Sequence, residues 1–261
     1  MNMNTLTITR AGHIATVTLN RPDVRNAFNE ATIAELTQAF SALGADGSVR
    51  AIVLAASGPA FCAGADLNWM KKMAGYTHAE NHADALQLAT MLRTIYACPQ
   101  PVVARVQGDC YAGGMGLVAA CDIVVAVDTA QFCLSEVRLG LIPATIAPYV
   151  IKAMGEQASR RYFLTAERFT AATALRIGFA HDVVAADALD ATVAEIAKAL
   201  VNNSPAAVRQ AKRLVREVAG RPVDDTLVDD TAARIAAIRA SEQGREGVAS
   251  FLEKRKPAWL S

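Results

Sequence analysis

A glutamate set in an apolar run, and glycines at the head of an apolar helix, are the residues of this 261-residue chain whose types and spacing could do chemistry. Glu136 lies in "FCLSEVRLGLIP", among Phe132, Cys133, Leu134, Val137, Leu139, Leu141 and Ile142. A carboxylate in such company is partly desolvated, which raises its pKa and suits proton transfer near neutral pH. The plainer alternative is a surface glutamate paired with Arg138. "DCYAGGMGLVAACD" (109–122) places Gly113, Gly114 and Gly116 at the start of a buried helix, although glycine is about 1 kcal/mol worse than alanine inside one. A second stretch, "SGPAFCAGADLNWM" (57–70), also follows a strand-like run. At such strand–turn–helix junctions the first N–H groups are unpaired and the local dipole favours negative charge. GxxxxGK[ST] is missing, and GxGxxG does not occur in the glycine cluster, so the phosphate-loop patterns are not met. The alternative is an oxyanion hole, in which two N–H donors from separate loops meet one developing anion and a missing Cβ allows close approach. The glycines alone are equally compatible with tight helix–strand packing.

Other reactive types carry less. The cysteines Cys62, Cys98, Cys110, Cys121 and Cys133 form no CxxC pair and are odd in number, as expected of reduced thiols. Cys62 and Cys110 have no partner histidine at a recognisable position, which argues against nucleophilic catalysis. His78 and His82 share an i, i+4 spacing but lack a third ligand nearby, so no metal site is expected. Asp109 and Tyr111 read as loop hydrogen-bonding residues rather than water-orienting ones.

The elements that must position these groups read as an α/β core. Residues 5–10 and 13–19 alternate apolar and polar, as a half-buried hairpin does. "FNEATIAELTQAFSAL" has Phe28, Ile33, Leu36, Phe40 and Leu43 at helical spacing. "RAIVLAAS" (50–57), "PVVARVQG" (101–108) and "DIVVAVD" (122–128) are short β-branched runs suited to buried strands. Helical patterns cover roughly 79–97, 114–120 and 144–164, and strands alternating with helices indicate an α/β fold. No convincing internal repeat is visible. From about residue 187 strand signals stop. "SPAAVRQAKRLVREVAG" predicts a helix capped by Ser204, with Pro205 at its first position and Gly220 beyond its end. Its Val208, Ala211, Val215 and Val218 make one apolar face, and Arg209, Lys212, Arg213 and Arg216 are expected to form a solvated one.

Composition narrows the class. The chain is 52% hydrophobic yet 20% charged, which suits a soluble protein with a large interior. A net charge of +1 gives no reason to expect nucleic acid or a membrane surface as partner. The N-terminus alternates and lacks a signal-peptide pattern, so a cytoplasmic location is expected.

Together, "LNRPDVRNAFN", "FCAGADL", "PVVARVQGDCYAGGMGLVAACDIVVA", "AQFCLSEVRLGLIPA", "ALRIGFAHDVV" and "EGVASFLEKRKP" resemble the crotonase, or enoyl-CoA hydratase/isomerase, family nearly end to end. "QFCLSEVRLGLIPATIAPYV" and "RRYFLTAERF" look most like its bacterial methylglutaconyl-CoA hydratase-type members. The resemblance implies a ClpP-like spiral of ββα units over about residues 1–200. It also implies a helical C-terminal region (201–261) that builds a homotrimer, commonly paired into a hexamer. It assigns the two amides that hold the thioester oxygen of an acyl-CoA substrate to Ala65 and Gly113, and the acid/base role to Glu136. It places Arg25, Ala27, Ala63, Asp66, Leu67, Gly114, Gly116, Phe251 and Lys254 along the CoA ester. No cofactor is implied, since coenzyme A arrives as part of the substrate. Trp69 and Met70 would line an acyl pocket or the trimer surface.

One position departs from the pattern. Typical hydratases of the family carry a second glutamate where this chain has Gly116, and the expected result is a smooth cavity able to admit a larger or branched acyl group. Three activities follow: hydration of a 2-enoyl-CoA by Glu136 alone, shuttling of a proton between C4 and C2 of a 3-enoyl-CoA, or binding of CoA esters with little turnover. Leucine or isoprenoid breakdown and β-oxidation are compatible settings.

Overall fold

The alternating N-terminal residues form the expected antiparallel hairpin, β1 (Leu6–Ala11) and β2 (Ile14–Leu19). The computed structural model describes residues 3–260. After α1 (Glu30–Ala45), capped by Asn29, come β3 (Ala51–Ala56), β4 (Ala60–Cys62), α2 (Leu67–Met73) and α3 (His78–Ala97). Then follow β5 (Val102–Val106), β6 (Asp109–Tyr111), α4 (Gly113–Ala119), β7 (Ile123–Val127) and β8 (Gln131–Cys133). A short 3-10 turn, Glu136–Leu139, leads to α5 (Ala147–Thr165), β9 (Phe169–Thr170), α6 (Ala171–Arg176) and β10 (Asp182–Val184). The remainder is helical: α7 (Leu189–Asn202), α8 (Pro205–Val218), α9 (Asp225–Ala240) and α10 (Glu242–Leu252). None of the helices among the described residues is long and apolar enough to cross a membrane.

Two sheets organise the core. The larger has the order β1-β2-β3-β5-β7-β10 and is parallel from β2 onward. Every residue of β3 is buried, as continuous apolar strands of a covered parallel sheet are. The smaller has the order β4-β6-β8-β9, with β4, β6 and β8 mutually parallel. The chain therefore winds as ββα turns, β3-β4-α2, β5-β6-α4 and β7-β8-α5, each placing one strand in each sheet. This is the spiral that the family resemblance implies. The repeat lies in topology and leaves no trace in residue identity. The strands of the smaller sheet carry no sequence signal because they are only two or three residues long, too short for a period of two to register. Both loop stretches singled out from the sequence contain a strand of the smaller sheet, β4 or β6, and their turns leave from it.

α8 starts as expected, with the Ser204 side chain accepting from Ala207 N–H, and Gly220 follows its end at φ +79°. Its basic side is not a solvated face. The Lys212 side chain is 6% exposed, forms an ion pair with Asp122 at 2.5 Å and donates to the Gln100 carbonyl at 2.8 Å. Arg216 donates to the Tyr96 carbonyl and lies over that ring, and Arg209 reaches the Val49 carbonyl. Backbone carbonyls at the ends of core elements need donors once covered, and the basic stripe supplies them. Only Arg213 turns outward, to Glu217, while Val215 of the apolar side is left 67% exposed.

Candidate active site

The C-terminal ends of β4, β6 and β8, adjacent and parallel, lead directly to Ala65, Gly113 and Glu136. Loops at the carboxyl ends of parallel strands are where α/β sheets bind ligands. Ala112 N–H donates to the Cys133 carbonyl at 2.7 Å, tying the exit of β6 to that of β8.

The direction of each amide follows from local geometry. Phe28 and Ala65 form an isolated parallel bridge: Phe28 N–H donates to Gly64 O at 2.9 Å, and Asp66 N–H donates to Phe28 O at 3.0 Å. Because the Gly64–Ala65 peptide is planar and trans, an oxygen facing Phe28 sends the Ala65 N–H the opposite way. Gly64 has φ +96°, and a Cβ there would come within 3.1 Å of Ala112 Cβ and 4.0 Å of Gly113 N, so the two loops adjoin. The Ala112 carbonyl accepts from Met115 N–H, so the Gly113 N–H points out of the start of α4. Ala112 itself holds an unusual φ of 48° and ψ of −123°, the kind of strain that marks functional turns. Among the described residues, neither the Ala65 nor the Gly113 N–H donates to a protein acceptor.

Close packing accounts for the glycines. A Cβ at Gly113 would lie 2.3 Å from Phe28 Cζ, one at Gly114 2.8 Å from Cys62 Cβ, and one at Gly116 2.2 Å from Ile146 Cγ2. The smooth cavity expected above Gly116 does not exist. Ile146, 2% exposed, fills it. Nothing in the local sequence marks Ile146, thirty residues further along, as the partner of Gly116.

Glu136 is half-buried, and its Oε2 is buried with no hydrogen-bond partner. Burial pushes its carboxyl pKa up. Arg138 does not neutralise it, since its guanidinium donates to the Ala166 carbonyl at 2.5 Å. A buried carboxylate oxygen without a partner is a group prepared for a ligand or a proton.

The flanking candidates are distributed unevenly. Arg25, at φ 51°, accepts from Ala63 N–H through its carbonyl, which places both beside Ala65. Ala27 is buried and Leu67 exposed. The Asp66 carboxylate is already engaged: it caps α2 through Asn68 and Trp69 N–H and pairs with Arg21 at 2.8 Å. Phe251 and Lys254 stand exposed at the end of α10, while neighbouring Arg255 is tied to Glu246 and Glu253. Trp69 does not reach the surface: it is buried against Phe28 and donates to Asp84. Tyr111 donates to Asp109, whose other oxygen accepts from Gln131 N–H, the loop role expected of them. Burial pushes the Cys62 thiol up to about 12 and the Cys110 thiol well above its ordinary value, so both are inert. His78 and His82 are exposed, and no group of three or more potential ligands that could hold a metal ion occurs among the described residues. Arg21, unmarked in the sequence, joins both sides of the Ala65 loop.

Comparison with known proteins identifies relatives of the whole chain. A family model described as enoyl-CoA hydratase/isomerase matches residues 9–261. Mevalonyl-coenzyme A hydratase sidH of Aspergillus fumigatus is 37% identical over 254 residues, covering 95% of this chain and 91% of its own. The short-chain-enoyl-CoA hydratase of Clostridium acetobutylicum is 30% identical over 258 residues, covering 98% and 97%. The crystal structure of an enoyl-CoA hydratase from Shewanella pealeana matches with a TM-score of 0.96 at 43% identity, covering 98% of this chain and 96% of that one.

Proposed function

Because the chain belongs to the enoyl-CoA hydratase/isomerase family, we propose that it adds water across the 2,3 double bond of an acyl-CoA thioester, using two backbone amides and one carboxylate. The thioester oxygen sits between the Ala65 and Gly113 N–H groups. Glu136 takes a proton from a water at C3; the water oxygen bonds to C3, and the double-bond electrons move through C2 to the thioester oxygen. The resulting enolate is held by the two amides and by the N-terminal end of α4. Glu136 then returns its proton to C2, which restores the thioester and leaves a 3-hydroxyacyl-CoA. One such donor is typically worth on the order of a hundredfold or more in rate.

The observation that carries this reading is the buried, unpartnered Glu136 Oε2 in the turn that leaves β8, while the neighbouring strands β6 and β4 lead to two unpaired amides. Arg25, Ala27, Ala63, Asp66 and Leu67 lie along the approach of the CoA moiety. Asp66 contributes through its backbone, its carboxylate being occupied. Gly114 and Gly116 keep that wall narrow, and Phe251 and Lys254 meet the nucleotide end in an assembly of several copies. Exposed Val215, Val228, Val248, Phe251 and Leu252 on the C-terminal helices support a homotrimer or a pair of trimers. A methyl-branched, methylglutaconyl-like acyl group is the substrate we favour, and the name of the mevalonyl-CoA relative supports it. Ile146 closes the space above Gly116, so the branch is housed elsewhere in the site. No cofactor takes part.

A second reading rests on the same seal. With Ile146 where a second carboxylate would project, Glu136 is a lone acid, which is all that proton transfer from C4 to C2 requires. Purified protein offered a short 2-enoyl-CoA, 3-methylglutaconyl-CoA and a 3-enoyl-CoA in parallel separates the activities. Hydration of either 2-enoyl substrate supports the proposal, and conversion of the 3-enoyl substrate alone overturns it in favour of the isomerase. Binding of all three with no conversion overturns both in favour of a CoA-ester-binding protein.

A further inference from the structure

We infer that Arg21 is a positioning residue that aims and polarises the Ala65 amide through a relay of two peptide groups, a reading that rests on the oxyanion role assigned above. Arg21 Nη1 donates to the Ala27 carbonyl at 2.5 Å. That carbonyl belongs to the same peptide unit as the Phe28 N–H, which donates to Gly64 O at 2.9 Å. Gly64 O in turn belongs to the same peptide unit as the Ala65 N–H. A guanidinium cation is thus joined, head to tail through two planar trans amides, to the proton that would meet the thioester oxygen. Hydrogen bonds in such chains strengthen one another, and a charged donor at the head polarises the whole.

The second arm fixes the aim. Arg21 Nη2 pairs with Asp66 Oδ2 at 2.8 Å, on the residue directly after Ala65. The rigid fork therefore holds both sides of the isolated Phe28–Ala65 bridge, which has no longer ladder behind it. Arg21 is itself held in place. Its N–H donates to Asn26 Oδ1, its carbonyl accepts from Asn26 N–H, and the buried Asn26 amide is anchored on the Ser57 and Ala60 carbonyls. None of these contacts is needed to cap α2, which Asp66 does alone.

The test compares wild type with Arg21→Met and Arg21→Lys, reading kcat and KM for a short 2-enoyl-CoA and the infrared thioester carbonyl band of bound acyl-CoA. For Arg21→Met, kcat is expected to fall roughly ten- to a hundredfold. KM should change by about threefold or less, because the relay acts on charge that develops in the transition state. The red shift of the bound carbonyl should shrink. Arg21→Lys, a single compact cation without the fork, should lie between the two on both scales. A kcat for Arg21→Met within about twofold of wild type, or a loss confined to KM, overturns the inference. Should the Met variant not fold, Arg21→Lys decides, and a fall in kcat with an unmoved carbonyl band overturns it. If wild type binds acyl-CoA without hydrating it, the hydratase reading fails while the carbonyl band still judges the relay. A wild type that binds no CoA ester overturns both.

Discussion

Replacing Gly116 with alanine should destabilise the protein, and the structure gives the size of the effect. Inside a solvent-facing helix the change would add about 1 kcal/mol through helix propensity. Here the new methyl carbon would lie 2.2 Å from Ile146 Cγ2 and 2.8 Å from Ile146 Cβ, with Leu92 Cδ2 at 3.6 Å. Both neighbours are buried, and the conflict is with a branch point and not with the end of a flexible chain. Overpacking of that kind costs about 1–3 kcal/mol, and so close an approach belongs at the upper end, leaving a net loss of about 2 kcal/mol. Ile146→Ala alone removes buried carbons and should cost about 2–5 kcal/mol. In Gly116→Ala/Ile146→Ala the alanine methyl enters the vacated space, so the double variant should lose at least about 2 kcal/mol less than the sum. Urea titration of all four proteins at one fixed subunit concentration measures the cycle. The same overlap predicts that Gly116→Glu alone adds no second working carboxylate, whereas pairing it with Ile146→Gly accommodates one. A Gly116→Ala variant more stable than wild type, with an additive cycle, would refute the reasoning and mean that the space is open.

Other expectations follow from the same coordinates. Glu136→Gln should lose nearly all turnover while still binding acyl-CoA, measured by steady-state kinetics and calorimetry. Burial raises the Glu136 pKa, so ionised Glu136 destabilises the fold. Glu136→Gln should therefore raise Tm above that raised pKa, with the gain vanishing as pH falls below the ordinary glutamate value of about 4.3. The acid limb of kcat/KM in wild type should likewise lie above the ordinary glutamate range. Lys212→Met should cost about 3 kcal/mol in denaturant unfolding, the low end for breaking a buried pair, because Asp122 keeps 25% exposure. Gly113→Ala should lower both Tm and kcat, since its methyl would meet the Phe28 ring at 2.3 Å and Phe28 holds the Ala65 loop.

Most of the larger sheet and the longer helices were legible because their apolar runs and helical spacings are long enough to register, whereas the three-residue β10 and the short α2 and α6 were not. "RAIVLAAS" and the α3 pattern predict β3 and α3 to within two residues. The smaller sheet was not, although its strands lead to the candidate site. Cys110 and Phe132 pair through strands of three residues whose identities resemble loop. Glu136 could be picked out by its apolar neighbours, and the amides of Ala65 and Gly113 by resemblance. Backbone groups carry no residue signature of their own. The void expected at Gly116 is filled because a glycine reports a missing side chain and not what takes its place, here Ile146 from the next turn of the spiral. The basic stripe of α8 departs from its expected solvated face for a related reason: carbonyls such as those of Gln100 and Tyr96 are invisible in sequence, and they determine where the lysine and arginine go.

The most direct test of the account is a crystal structure of Glu136→Gln with a 2-enoyl-CoA bound. The account predicts the thioester oxygen at about 2.7–3.1 Å from both Ala65 N and Gly113 N, with the side chain at position 136 facing C2 and C3. A thioester oxygen that meets only one of these amides, or lies against another surface, would contradict it.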